Sequence, residues 1–164
     1  MRYLLDTCVI SELVRPQPDA GVVAWVRQQN EMDLHLSVLT LGEIQKGIGR
    51  LPASPRRKAL EHWLREDLVG RFAGRLVTVD AEVARVWGLV QAELGLGGVP
   101  MGAVDGLLSA TARVHELVLV SRNIADFHDP EVHTMNPWGG TWPSTLKKAP
   151  ERSDAFSGNE IGPC

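Results

Sequence analysis

Cysteine, aromatic side chains and long apolar runs are all scarce in this chain of 164 residues. The two cysteines, Cys8 and Cys164, are too few and too far apart for a disulfide framework or a paired zinc site, which fits a reducing compartment. No segment approaches the roughly 18 to 20 apolar residues that span a bilayer, and the strand pattern begins at once, without a signal peptide. Aromatic residues make up only 5%, which argues against a platform that stacks single-stranded bases. We therefore expect one cytoplasmic domain that does not enter a membrane.

The sequence also lacks the short motifs that mark several common enzyme classes. It contains no G-x-x-x-x-G-K-[ST] phosphate loop, no G-x-G-x-x-G after a strand, no H-E-x-x-H and no G-x-S-x-G. The five histidines show no metal-ligand spacing. A haloacid-dehalogenase-like phosphatase would carry a second aspartate and a hydroxyl just after the first aspartate, where this chain has Cys8 and Val9. These enzyme classes are therefore disfavoured.

Two side-chain groups leave two interpretations open. The net charge is −3, but seven basic residues cluster in one stretch. This stretch forms either a solvated helix face or a surface that contacts phosphates. Three tryptophans on predicted helices belong either to the core or to a contact with a partner. The basic residues are Arg50, Arg56, Arg57, Lys58, Arg65, Arg71 and Arg75, and the tryptophans are Trp25, Trp63 and Trp87.

Hydrophobic periodicity and capping residues predict strands separated by helices. Such alternation favours parallel pairing with right-handed crossovers, and therefore a three-layer α/β/α fold around a parallel sheet of four to five strands. We expect the domain to cover residues 1–138, followed by a partly disordered tail rich in proline, glycine and serine at 139–164. The predicted strands are Arg2–Leu5, Leu34–Ser37, Leu76–Val79, Leu117–Val120 and Val132–Met135. The predicted helices are Thr7–Val14, Ala20–Gln29, Leu39–Gly49, Pro55–Val69, Ala81–Leu94 and Met101–His115.

Four carboxylates are the most informative residues, because each stands at a strand end or just inside the following helix. An open parallel sheet binds ligands outside the carboxyl ends of its strands, and the predicted topology brings all four carboxylates there. Converging carboxylates in apolar surroundings repel one another unless a cation shares them. The pattern therefore predicts a divalent metal and phosphate chemistry. The four residues are Asp6, Glu43, Asp105 and Asp126.

Most of these acids also have a structural interpretation. Asp6 can cap the helix that follows it, as Asp80 does, and Asp126 can cap a turn. Glu43 forms a Thr-x-x-Glu capping box with Thr40 in the sequence. Asp105 is harder to explain in this way, because its helical neighbours are apolar or small and an aspartate among them is a poor core residue.

Several segments resemble the motifs of the PIN-domain family, specifically the VapC-type toxins of bacterial toxin-antitoxin pairs. The resemblance runs from Arg2 to about Trp138. Its order and its four acids make it specific, where any one motif alone would not be. The segments are LLDTCVISEL, SVLTLGEIQKGI, AVDGLLSATARVHELVLVSRNIADF and MNPW.

The resemblance implies a ribonuclease that depends on Mg²⁺ or Mn²⁺. It further implies a homodimer, and a VapB-type antitoxin whose tail covers the acidic pocket. The family's metal-binding acids correspond to Asp6, Glu43, Asp105 and Asp126, and its supporting polar residues correspond to Thr7, Ser121 and Asn123. Position 8 is often asparagine in relatives, so Cys8 departs from the pattern.

The chemistry of hard cations agrees with this interpretation. Mg²⁺ is usually bound through one or two carboxylates together with waters and phosphate oxygens. We therefore expect Asp6 and Asp105 to hold the main ion, with Glu43 and Asp126 acting through waters or a second ion. The alternative is a non-catalytic module that binds an antitoxin or RNA, but retention of all four acids favours the nuclease.

Overall fold

Five short parallel strands form the centre of the structure, a computed structural model in which residues 1–140 are described. Their order across the sheet is β3-β2-β1-β4-β5, and every neighbouring pair is parallel. This arrangement confirms the predicted sheet, including the fifth strand. The strands are β1 (Tyr3–Leu5), β2 (Leu34–Ser37), β3 (Leu76–Val77), β4 (Val118–Val120) and β5 (Thr134–Met135).

Helices connect the strands and cover both faces of the sheet, which confirms the predicted α/β/α layers. None of the helices within residues 1–140 has the length and apolarity needed to cross a bilayer. The α-helices are α1 (Thr7–Leu13), α2 (Ala20–Gln28), α3 (Val38–Gly49), α4 (Pro55–His62), α5 (Val69–Arg71), α6 (Ala81–Leu96) and α7 (Ala103–Val114). A π-helical segment (Trp63–Leu68) joins α4 to α5, and short 3₁₀ turns lie at Glu31–Asp33, Ile124–Asp126 and Trp138–Gly140.

Alternating side chains of β1 reach the two hydrophobic layers. Tyr3 and Leu5 pack into the layer that contains residues of α1 to α4 and of the π-helical segment, whereas Leu4 packs with residues of α6 and α7. Trp25 is fully buried in the first layer and meets the ring of Tyr3 edge-on, with ring centroids 5.0 Å apart. The core interpretation is therefore confirmed for Trp25. The other two tryptophans, in the π-helical segment and in α6, are partly buried against the two layers.

The strand order places a switch point between β1 and β4. The chain moves outward from β1 to β2 and β3, then returns through α6 and α7 to β4 on the other side of β1. Leu5 pairs with Val120 across this boundary, and the backbone N–H of Asp6 donates to the carbonyl of Val120 at 3.0 Å. Asp6 and Ser121 therefore leave neighbouring strands side by side at the carboxyl edge of the sheet.

The basic stretch does not form one phosphate-contacting surface, because Arg75 is buried. Its guanidinium donates to the carbonyls of Glu31 at 2.6 Å and Leu34 at 2.8 Å, and also to the carbonyl of Arg71. Arg57 is likewise engaged, by the Glu61 carboxylate at 3.1 Å. Arg75 therefore stabilises the fold, and the surface interpretation is wrong for it, whereas the partly exposed Arg57 leaves both interpretations open.

The last described turn packs closely on α2. A Cβ atom at Gly21 would lie 2.6 Å from the backbone nitrogen of Gly140 and 2.9 Å from the carbonyl oxygen of Pro137, so only glycine fits there. Trp138 packs against the core from this turn. The predicted tail and its Trp142 lie almost entirely outside the described residues, so the boundary at residue 138 stays a prediction.

Candidate active site

Asp6 is both a helix cap and the centre of a polar network. It follows β1 directly, and its Oδ1 accepts from the backbone N–H of Thr7 at 2.7 Å, which caps α1. Its Oδ2 accepts from the hydroxyl of Ser121 at 2.6 Å and lies 3.4 Å from the Sγ of Cys8. The two interpretations made from the sequence are therefore compatible, since Oδ1 keeps a further lone pair while Oδ2 accepts from Ser121 and from the thiol of Cys8.

Glu43 is fixed by Thr7 and not by the predicted capping box. The hydroxyl of Thr7 donates to Oε2 of Glu43 at 2.5 Å, which joins α1 to α3. The N-cap of α3 is Ser37, whose hydroxyl accepts from the N–H of Leu39 at 3.1 Å. Thr40 is buried and its hydroxyl has no hydrogen-bond partner within residues 1–140. The capping-box interpretation is therefore wrong, and Glu43 faces the residue that follows Asp6.

Asp105 lies in the first turn of α7, and its pKa is affected by all three of the other acids. Burial raises the pKa of the Asp105 carboxyl above its usual value, and the charges of Asp6, Asp126 and Glu43 raise it further. Such electrostatic coupling requires each of the other three carboxylates to lie near Asp105. Gly102 leaves room for this group, because a Cβ atom there would lie 3.3 Å from Oδ2 of Asp105.

Asp126 ends the 3₁₀ turn that follows β4, and it is the most exposed of the four acids. No hydrogen bond to its carboxylate is found within residues 1–140, so its link to the cluster is the field that it exerts on Asp105. Asn123, in the same loop, donates its backbone N–H to the hydroxyl of Ser121 at 3.1 Å. The role of the Asn123 side-chain amide stays a prediction.

Cys8 takes part in the network, which sequence reasoning missed. Its Sγ accepts from the backbone N–H of Arg122 at 3.3 Å and lies 3.5 Å from the hydroxyl of Ser121. Burial raises the pKa of the Cys8 thiol to about 11, with the Asp6 carboxylate as the next cause, so the thiol is protonated at neutral pH. The available signal was position alone, since Cys8 falls in the first turn of the helix that Asp6 caps.

The donor set suits a hard divalent cation that keeps much of its water. Within residues 1–140, no three side chains of the histidine, cysteine, aspartate or glutamate type are close enough to enclose an ion by themselves. Mg²⁺ does not need such a cage, because one or two carboxylates with waters and substrate oxygens are its usual ligands. Carboxylate and hydroxyl oxygens dominate the network, and none of its hydrogen bonds involves histidine. The residues therefore fit Mg²⁺ or Mn²⁺ better than zinc.

Comparisons with known proteins agree with this geometry. The sequence model described as PIN domain matches residues 3–130. Toxin FitB of Neisseria gonorrhoeae is 35% identical over 135 residues, which cover 82% of this chain and 97% of the toxin. VapC ribonuclease Y4jK of Sinorhizobium fredii is 33% identical over 135 residues, covering 82% and 96%.

Solved structures show the same similarity. The crystal structure of FitAcB from Neisseria gonorrhoeae superposes with a TM-score of 0.78 at 34% identity, covering 84% of this chain and 99% of that one. DNA-bound VapBC from Salmonella typhimurium gives 0.67 at 24% identity, covering 83% and 98%, and supports the fold alone. With a family match across most of the chain, a five-stranded parallel sheet and four acids at its edge, this protein belongs to the PIN-domain family.

Proposed function

We propose that this protein is an endoribonuclease that depends on Mg²⁺ or Mn²⁺ and acts as the toxin of a toxin-antitoxin pair. The observation that carries the proposal is the network that joins Asp6, Ser121, Thr7 and Glu43 at the carboxyl edge of the sheet. Asp105 lies near it, because burial raises the pKa of its carboxyl and the charges of the other three acids raise it further. A cluster of this kind repels RNA unless a cation is present, and a bound cation reverses the sign of the local field. The similarity to a VapC ribonuclease and to toxin FitB supports the same activity.

Asp6 and Asp105 are the residues that we expect to hold the ion directly. Ser121 and the Thr7 backbone each donate to a different oxygen of Asp6, which fixes the carboxylate plane and leaves a lone pair of Oδ1 for a cation. Glu43 and Asp126 would act through waters or a second ion, and the Thr7 hydroxyl orients Glu43. When bound, the cation supplies a water nucleophile near neutral pH and neutralises charge on the scissile phosphate.

The polar residues of the site orient its carboxylates. An in-line attack on a phosphodiester needs the nucleophile and leaving group aligned to within a few tenths of an ångström, so loosely held carboxylates would slow the reaction. The Asp6–Ser121 and Thr7–Glu43 hydrogen bonds remove this freedom by tying together α1, α3 and the loop after β4. A VapB-type antitoxin and a homodimer remain part of the proposal, as the family resemblance implies.

Cleavage of a labelled RNA by the purified protein tests this proposal. We expect cleavage with Mg²⁺ or Mn²⁺, none in EDTA, and a loss of more than about 100-fold for Asp105→Asn, because a direct ligand matters more than the 10- to 100-fold typical of supporting residues. Asp80→Asn is the matched control. Asp80 caps α6 by accepting from the N–H of Val83 at 2.9 Å, and asparagine caps a helix equally well.

A non-catalytic module would behave differently. Its RNA affinity would be insensitive to EDTA and to the Asp105→Asn change, and no cleavage would be seen with any cation. Full cleavage by a folded Asp105→Asn protein would contradict the assigned site. Thermal unfolding of each variant separates a lost ligand from a lost fold.

A further inference from the structure

Arg122 is an exposed cation held against an aromatic ring at the edge of the sheet that carries the acids. The central carbon of its guanidinium lies 5.7 Å from the ring centroid of Trp138. No carboxylate forms an ion pair with Arg122 in the described part of the chain. A guanidinium that stacks on a ring uses its flat face, so its five in-plane N–H donors stay available.

The backbone of Arg122 is fixed on both sides by hydrogen bonds, one of which joins it to the active-site network. Its N–H donates to the Sγ of Cys8, which also contacts Asp6. Its carbonyl accepts from the side-chain amide of Asn136 at 3.1 Å, and the oxygen of that amide accepts from the backbone N–H of Trp138 at 2.9 Å. One asparagine therefore positions both the arginine and the ring on which it stacks.

These contacts distinguish Arg122 from the other arginines of residues 1–140. Six of them are engaged in ion pairs with carboxylates, and Arg75 is also buried. Arg122 differs because its own main chain belongs to the hydrogen-bond network of the acids. The paired arginines are Arg15, Arg57, Arg71, Arg75, Arg85 and Arg113.

We propose that Arg122 binds a phosphate of the RNA substrate next to the scissile one, with Trp138 as its platform. This inference rests on the proposed ribonuclease function and names how the same site holds its substrate. The metal ion offsets the charge of the acids at the scissile phosphate, and an exposed guanidinium at the same edge of the sheet attracts a neighbouring phosphate. A planar guanidinium matches two phosphate oxygens at once, and prior stacking reduces the entropy lost on binding.

The salt dependence of RNA binding tests the proposal. We would measure the affinity for a fluorescent single-stranded RNA by anisotropy, with Ca²⁺ in place of Mg²⁺ and the integrity of the RNA checked on a gel. One lost phosphate contact on a single strand lowers the slope of log K against log salt by about 0.7. We expect Arg122→Gln to lower the slope by that amount and to weaken binding roughly 10-fold at 0.1 M salt. In cleavage assays with Mg²⁺, KM should rise far more than kcat falls.

Arg27→Gln is the matched control. Arg27 is exposed in the last turn of α2, which leads to the start of β2 and therefore lies at the opposite edge of the sheet. The salt slope and the RNA affinity of the Arg27→Gln variant should equal those of the wild type. Binding should weaken equally for RNAs of different sequence, because a phosphate contact carries no base preference.

Changes at the ring test the platform separately. Trp138→Leu keeps the charge but removes the stacking surface, so we expect weaker binding with an unchanged salt slope. Trp138→Phe should restore most of the affinity. An unchanged slope and affinity for Arg122→Gln, with a wild type that binds RNA, would overturn this inference alone. A wild type that neither binds nor cleaves RNA would overturn the proposed function together with it.

Discussion

The hydrogen bond from Ser121 to Asp6 should control both metal affinity and stability, and removing it by Ser121→Ala tests the geometry of the site. Ser121 is fully buried, and its hydroxyl donates to Oδ2 of Asp6 at 2.6 Å while accepting from the N–H of Asn123. Its loss frees Asp6 to rotate and removes the link between the ends of β1 and β4. The effect should therefore appear in the ion-binding step as well as in unfolding.

The structure permits an estimate of both effects. A hydrogen bond to a charged group contributes about 1.5 to 3 kcal/mol, which at this chain length corresponds to a fall in Tm of roughly 4 to 10 °C. Residues that orient a metal ligand typically change metal affinity by about 10- to 100-fold, or about 1.4 to 2.7 kcal/mol. We expect Ser121→Ala to show losses in both ranges.

Ser109→Ala is a matched control for this experiment. Ser109 is also fully buried, on α7 one turn after Asp105, but its hydroxyl has no hydrogen-bond partner within residues 1–140. Its replacement removes no bond and gains up to about 0.5 kcal/mol of helix propensity. Calorimetric titration with Mn²⁺ and thermal unfolding in EDTA would measure both variants. Equal Mn²⁺ affinity for Ser121→Ala and the wild type, or an equal loss for Ser109→Ala, would refute the reasoning.

Two further predictions concern the buried arginine and the buried thiol. Arg75→Leu should lower the free energy of unfolding, measured in urea, by about 3 to 5 kcal/mol, because the carbonyls that accept from the guanidinium lose their donor. The RNA affinity of the folded protein should stay unchanged. Weaker RNA binding at full stability would instead support the phosphate-contacting interpretation. The raised pKa of Cys8, about 11, keeps its thiolate fraction at pH 8 about 100-fold below that of an ordinary thiol. Iodoacetamide should therefore react slowly with Cys8 in a Cys164→Ser protein in EDTA, and the rate should rise with pH up to about 11. The reaction should be faster when Asp6→Asn removes the neighbouring charge. Rapid reaction at pH 8 would contradict the burial of the thiol.

The fold could be predicted because it follows from the order of elements along the chain, and the same order predicts that the acids gather at one edge of the sheet. Parallel strands joined by helices bring their carboxyl ends to one edge, so a carboxylate placed just after a strand must lie there. Asp6 is the clearest case, since it directly follows the central strand. The same logic located Glu43 and Asp105 near helix starts without any knowledge of side-chain contacts.

Local capping could not be predicted with the same success, because several hydroxyls compete for one role. Ser37 and Thr40 both precede Glu43 at plausible distances. β2 passes into α3 without an intervening loop, so the helix begins at Val38 and Ser37 becomes its cap. Glu43 is then free to accept from Thr7, a contact between residues 36 positions apart that no local pattern encodes.

The pattern of charges along the sequence was equally limited as a guide to the role of each charged side chain. The sequence shows Arg75 as one member of a basic stretch, but the side chain lies under the carbonyls that begin β2 and end α5. Burial depends on which elements pack together, and composition does not record that. The polar contacts of Cys8 could not be predicted for the same reason, since its partners Ser121 and Arg122 are more than 100 positions away in the sequence.

The pairing of β1 with β4 sets when the proposed ribonuclease can first be active during its synthesis. Asp6 is translated 115 positions before Ser121, the serine that orients it. Before that point a growing chain lacks part of the proposed site, even if its early helices have formed. We therefore expect nascent chains to be harmless to cellular RNA until the second half of the domain has emerged and docked, a delay in which a protective partner can assemble.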